Sequence, residues 1–209
     1  MSQIQQASNP NVDRRKAILQ AAVSVFAEKG YHGCRISDVA QEAGVAYGLV
    51  YHYFRNKEEL LHSVFTDVWA RFSTRLVDLV GSDLPFRDKV RSIVGYATDA
   101  YREDPRSMRV MILEVVRTPA FRDSAKHNAF LDGVELTRKL IDQGREAGEV
   151  REGIDSFLAA NILLGAVEVL ITAYVLGALD PHDENDAARA RETAVEIFLG
   201  GVGKPVAAP

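Results

Sequence analysis

A single cysteine in 209 residues, Cys34, excludes an intrachain disulfide framework. The five histidines are scattered and never fall at the short spacings with Cys or Asp that hold a metal, so no metal site is expected. A glycine-rich phosphate loop, a nucleophile elbow and a cofactor fingerprint are also missing, which removes the common routes to an enzyme and leaves no cofactor to expect. Glu114, Glu135, Glu168 and His127 are the only candidates for an acid/base site, but isolated carboxylates on helices are usually solvated or paired. The opening Met1-Ser2-Gln3-Ile4-Gln5-Gln6 lacks the basic-then-apolar pattern of a signal peptide, so a cytoplasmic protein is expected. Composition, 47% apolar and 26% charged, is that of a soluble globular chain with one large or two modest domains.

An excess of basic residues is missing too, since the net charge is −4. Division at Lys57 changes that picture. Residues 1–57 carry Arg14, Arg15, Lys16, Lys29, Arg35, Arg55 and Lys57 against Asp13, Glu28, Asp38 and Glu42, a balance of +3 that leaves −7 for the remainder. One end suits phosphate and the other avoids it.

No alternating strand pattern, repeat or low-complexity block competes with helical spacing, so the fold class is all-α with about nine helices. Residues 1–11, rich in Gln, Ser and Asn, read as a mobile arm. A first helix follows over about 12–29, carried by Ile18, Leu19, Ala22, Val25 and Phe26 and stopped by Gly30. Val39 to Ala43 form a small second helix, and Gly44 turns the chain into a short third one that ends near Phe54. Asn56-Lys57-Glu58-Glu59 is a capping box, which starts a long helix at Lys57 that runs to about Val80. Cap-plus-proline signals at Asp104-Pro105 and Thr118-Pro119, with a looser one at Leu84-Pro85, place further helices near 85–103, 105–117, 119–147, 155–178 and 186–200.

The stretch Phe157 to Leu179 is long and apolar enough to resemble a membrane span. Asn161, Glu168 and Thr172 within it, and the lack of a basic flank, argue instead for a helix buried between neighbours, with no membrane partner. Its small residues permit close helix approach, so it is assigned jointly to the core and, with the last helix (Ala187, Ala190, Ala194, Ile197, Phe198), to a homodimer interface.

Three motifs at fixed order carry a resemblance: Phe26 to Gly30-Tyr31, then Val39-Ala40-Gln41-Glu42-Ala43-Gly44-Val45, then Tyr51-His52-Tyr53-Phe54-Arg55-Asn56-Lys57-Glu58-Glu59-Leu60. Residues 15–65 resemble the DNA-binding domain of the TetR family of bacterial transcriptional regulators. The resemblance implies an N-terminal three-helix helix-turn-helix domain at 1–57, a larger ligand-binding and dimerisation domain at 58–209, and a ligand-responsive regulator, most often a repressor, on a pseudo-palindromic operator in double-stranded DNA. Three positions depart from the family pattern. Cys34 and Arg35 stand where a hydroxyl is common, Ala46 replaces the Ser that caps the recognition helix, and Leu49 replaces Thr.

Tyr47, at the start of the recognition helix, is the first choice for base contact, and Gly48 lets the backbone approach the groove. Leu49 either meets a thymine methyl or packs into the core, while His52 either touches DNA or is simply exposed. By family analogy Tyr51, Tyr53 and Lys57 hold phosphate; Arg35 and Ser37 join the same DNA-facing set. Val50 and Phe54 are core residues. Cys34 beside the reading head is either inert packing or a redox switch.

The candidate ligand-binding residues are Trp69, Phe72, Met108, Arg109, Met111, Ile112, Phe121, Phe130 and Glu168. With Tyr96, Tyr101, Leu131 and Tyr174 they supply more aromatic and flexible groups than packing needs, although ordinary core is the alternative. Arg106, Arg109, Arg117, Arg122 and Lys126 crowd the same region and could meet phosphates. The segments Ile112 to Thr118 and Gly148 to Asp155 resemble the subgroup of the family that regulates fatty-acid degradation and responds to acyl-CoA. An efflux-type regulator of aromatic compounds is the rival, and a small helical enzyme a distant third.

Overall fold

The computed structural model describes residues 10–115 and 125–203, which form nine helices. They are α1 Pro10–Lys29, α2 Ile36–Glu42, α3 Tyr47–Tyr53, α4 Lys57–Val80, α5 Phe86–Glu103, α6 Pro105–Val110, α7 Ala125–Glu146, α8 Ser156–Val175 and α9 Glu184–Val202. No strand occurs among the described residues; an isolated bridge joins Val150 to Gly203. The helix start expected at Pro119 lies outside them.

Two expectations need correction at helix ends. Helix α1 begins at Pro10 rather than at residue 12, because proline's fixed φ suits the first helical position, where its missing N–H is no loss. The helix expected over 105–117 is α-helical only to Val110 and continues as a π-helical turn, Met111–Val115. Such a turn inserts into an α-helix mostly at functional positions.

Elsewhere the caps set the boundaries. Asn56 Oδ1 accepts from Glu59 N at 2.7 Å and starts α4 at Lys57, while the Glu59 carboxylate turns to Arg55 N at 2.8 Å. Asp104, Asp155 and Asp183 cap α6, α8 and α9 in the same way. Gly44, at φ +64°, makes the turn between α2 and α3 in a conformation that a side chain disfavours.

One apolar core runs from Ile18 to Val202. The first turns of α4 place Leu60, Leu61 and Val64 under α1–α3, and its later turns place Val68, Trp69, Phe72 and Leu76 in the larger bundle. A single rigid helix therefore belongs to both halves. In that bundle Ile93, Ile141 and Leu163 are at most 1% exposed, and truncating any of them to Ala should cost about 2–5 kcal/mol.

Candidate functional site

Helix α3 is anchored by Val50 and, just past its end, Phe54, both essentially unexposed. Its other face presents Tyr47, Gly48, Tyr51 and His52 to solvent. The rings of Tyr47 and Tyr51 meet edge to face at 5.2 Å, and their hydroxyls are 3.2 Å apart. The hydrogen bond with Tyr47, and then burial, raises the Tyr51 pKa, so this phenol stays neutral and able to donate. A Cβ at Gly48 would meet open space. Leu49 is half-buried, at the edge between core and groove face. Ala46 offers no side-chain cap.

Two residues assigned to DNA are held by the protein itself. Tyr53 is half-buried and donates to Asn11 Oδ1 at 3.2 Å, which ties the end of α3 to the start of α1. The Lys57 ammonium, expected on a phosphate, turns inward: it donates to the carbonyls of Tyr31 at 2.5 Å and Cys34 at 2.8 Å and sits 4.5 Å from the Tyr31 ring centre. Arg15 likewise folds over the Phe54 ring at 5.0 Å and reaches Ser63 Oγ at 3.4 Å, whereas Arg14 and Lys16 are exposed.

Helix α2 keeps a cap although its hydroxyl is missing. The Asp38 carboxylate accepts the Arg35 N–H at 2.7 Å and pairs with Lys29 at 3.2 Å. These contacts, the Arg35 N–H first, hold the Asp38 pKa below its ordinary 3.8. Arg35 and Ser37 are exposed on the same helix. Cys34 is buried, with Sγ donating to Tyr31 O at 3.4 Å. Burial pushes its thiol pKa up, against the opposing pull of Lys57, which makes it a packing group rather than a thiolate.

A cavity of about 290 Å³ lies among α4, α5, α6, the π-turn, α7 and α8. It brings together Trp69, Phe72, Met108, Met111, Ile112, Phe130 and Glu168 of the expected set, and Tyr96 with them. Arg109 is not among them: it follows Met108 by one residue, a rotation of about 100° on a helix, and is exposed. Leu131 is exposed for the same reason beside Phe130, and Tyr101 stacks on Tyr174 at 5.4 Å away from the cavity. Phe121, Arg117 and Arg122 lie outside the described residues, as does the side chain of Lys126. Arg106 instead donates to Ser24 Oγ on α1 at 3.2 Å.

Sequence reasoning missed the contribution of α8, from which Asn161, Leu164, Val167 and Ile171 line the cavity beside Glu168. The signal was present in their helical spacing, with the polar Asn161 and Glu168 two turns apart. It was hidden because the opposite face is equally apolar: Leu158, Ile162 and Val169 there are 58%, 65% and 68% exposed. That second face and α9 form an open groove that includes Ala190, Ala194 and Ile197.

The π-turn joins cavity to head. Met111 and Ile112 line the cavity, while Glu114 Oε1 stands 3.5 Å from where a Cβ on Gly30 would be.

Residues 18–64 match the model of bacterial regulatory proteins of the tetR family. Over 186 residues the chain is 28% identical to the fatty acid metabolism regulator protein of Bacillus subtilis (strain 168), covering 88% of this chain and 93% of that relative. The chain is a TetR-family transcriptional regulator. The fatty acid degradation regulator FadR from Bacillus halodurans superposes with a TM-score of 0.80 at 26% identity, covering 94% of this chain and 98% of the other. FadR from Bacillus subtilis, solved in complex with stearoyl-CoA, gives 0.78 at 26% identity, covering 89% and 98%. The TetR-family match ends inside α4 at Val64, where that helix leaves the core beneath the reading head.

Proposed function

We propose that this protein is a cytoplasmic homodimeric repressor whose two α3 helices read a pseudo-palindromic operator, and that an acyl-CoA or similar apolar effector releases it. One short helix reads too few base pairs for a genomic address, so two heads, spaced on the order of 34 Å or more, are needed. The apolar α8–α9 groove, too large and too oily for a solvated surface, is the pairing face. Tyr47 and Gly48 approach base edges, Leu49 meets a thymine methyl, and Arg35, Ser37, Tyr51 and His52 hold the backbone. No catalytic role is assigned to any residue.

The observation that carries the effector reading is the cavity's position against α4, the helix whose first turns support the head. An occupant between α4, the π-turn and α8 displaces either α4 or the Glu114 contact with the α1–α2 connection. By linkage it must bind free protein more tightly than DNA-bound protein. The acyl part suits the apolar interior. A polyanionic head stays outside, because the rim carries Glu103, Asp104 and Glu168 against Arg71.

That acidic rim on aromatic walls also favours a second reading, a cationic aromatic effector of the efflux type. The test is selection of bound genomic fragments, followed by titration of acyl-CoAs, free fatty acids and cationic aromatic drugs into the protein–operator complex. Release by acyl-CoA supports the first reading and release by the drugs alone the second.

A further inference from the structure

The aromatic wall of the cavity ends at one ring. Trp69 stacks on Phe65 at 5.6 Å with planes 13° apart, meets Phe72 edge-on at 5.4 Å and leans on Phe130 at 5.3 Å. Its indole N–H donates to Ala129 O on α7 at 2.8 Å. The six-membered edge of the indole rests on Gly133, where an added Cβ would stand 2.5 Å from Cζ2, closer than side chains pack. Gly133 has no positive φ to account for it, and glycine inside a helix is unfavourable, so the seat for the indole is its reason. The ring is held by α4 neighbours on its faces and by α7 behind, and it closes the cavity on the α7 side.

A methylene is about the size of a water, whose share of liquid volume is about 30 Å³, so the 290 Å³ enclosed holds roughly ten such groups. A stearoyl chain exceeds that. We propose that Trp69, seated on Gly133, is the stop that restricts this cavity to acyl chains of medium length. The proposal rests on the acyl-effector reading above.

The experiment measures release of the full-length protein from its operator by octanoyl-, decanoyl-, dodecanoyl-, palmitoyl- and stearoyl-CoA. Trp69→Phe, Trp69→Leu and Gly133→Ala are run beside the parent, after each is checked for operator binding and cooperative melting. In the parent, affinity should rise roughly fourfold per methylene and level off near decanoyl or dodecanoyl. The Trp69 variants should move that plateau to longer chains, and Gly133→Ala, which pushes the indole into the cavity, to shorter ones. A rise that continues to stearoyl in the parent, or one plateau shared by every folded variant, overturns the stop. If Trp69→Leu fails to melt cooperatively, the other two variants and the parent series decide. Release by no acyl-CoA at all is a different failure, that of the acyl-effector reading itself.

Discussion

The ammonium of Lys57 lies over the Tyr31 ring and donates to the Tyr31 and Cys34 carbonyls, joining the first residue of α4 to the connection between α1 and α2. A charge satisfied by two carbonyls fastens the head to the long helix.

Lys57→Met should therefore lower stability by roughly 1–3 kcal/mol, the range for hydrogen bonds to a charged group. Operator affinity should fall with little change in salt dependence. Thermal melts and binding across a salt series check this; a salt slope smaller by about one would restore Lys57 to a phosphate.

Tyr47→Ala should cost roughly 1–3 kcal/mol on the operator and less on a scrambled duplex. Tyr51→Phe removes the hydroxyl facing Tyr47 and should weaken both duplexes alike. Parallel retardation assays with the two DNAs separate reading from holding, and equal proportional losses in Tyr47→Ala would remove it from base readout.

Two glycines should respond oppositely. Gly44→Ala forces a side chain into a left-handed turn and should destabilise by about 1–2 kcal/mol. Gly48→Ala, in open space on a helix, should stabilise by about 0.5–1 kcal/mol yet weaken operator binding, because the added methyl faces the groove. Melting and operator titration on the same samples check both signs.

The pairing face predicts that Ile162→Asp or Ile197→Asp leaves the fold intact, since these side chains are 65% and 72% exposed. Each variant should sediment as a monomer at micromolar concentration and lose operator binding by at least tenfold. A dimer retained in both variants would move the interface elsewhere.

Asp38 gives an acid limit. Its folded pKa lies below the unfolded value, so its contribution is fully present above that value, ordinarily 3.8, and is lost as pH falls through the lower folded one. Melting temperature should decline over that acid range more steeply in the parent than in Asp38→Asn. Parallel pH series on the two proteins would show it, and identical slopes would discount the carboxylate.

Most helix boundaries were legible because the signals are local: Asn56 reaches the Glu59 N–H, and Asp104 the Ser107 N–H, each within one turn. The glycine turn before α3, the buried Val50 and Phe54, and the exposed Tyr47 follow from spacing within a few residues of one another. The cavity was legible as a set of residues, though its α8 wall was not. A helix that is apolar on two faces carries no mark of which face meets which neighbour.

The sequence by itself determined the all-α fold, the motif of the reading head and where most helices begin, since backbone donors within a turn of their caps need no distant partner. Only the tertiary structure turned Lys57 inward to residues 26 and 23 positions away, set Trp69 against Ala129, 60 positions on, and left Arg109 facing solvent beside a buried Met108. Those outcomes depend on which helix packs opposite which, and that is fixed by burial of apolar surface summed over the whole core rather than by any short stretch of chain.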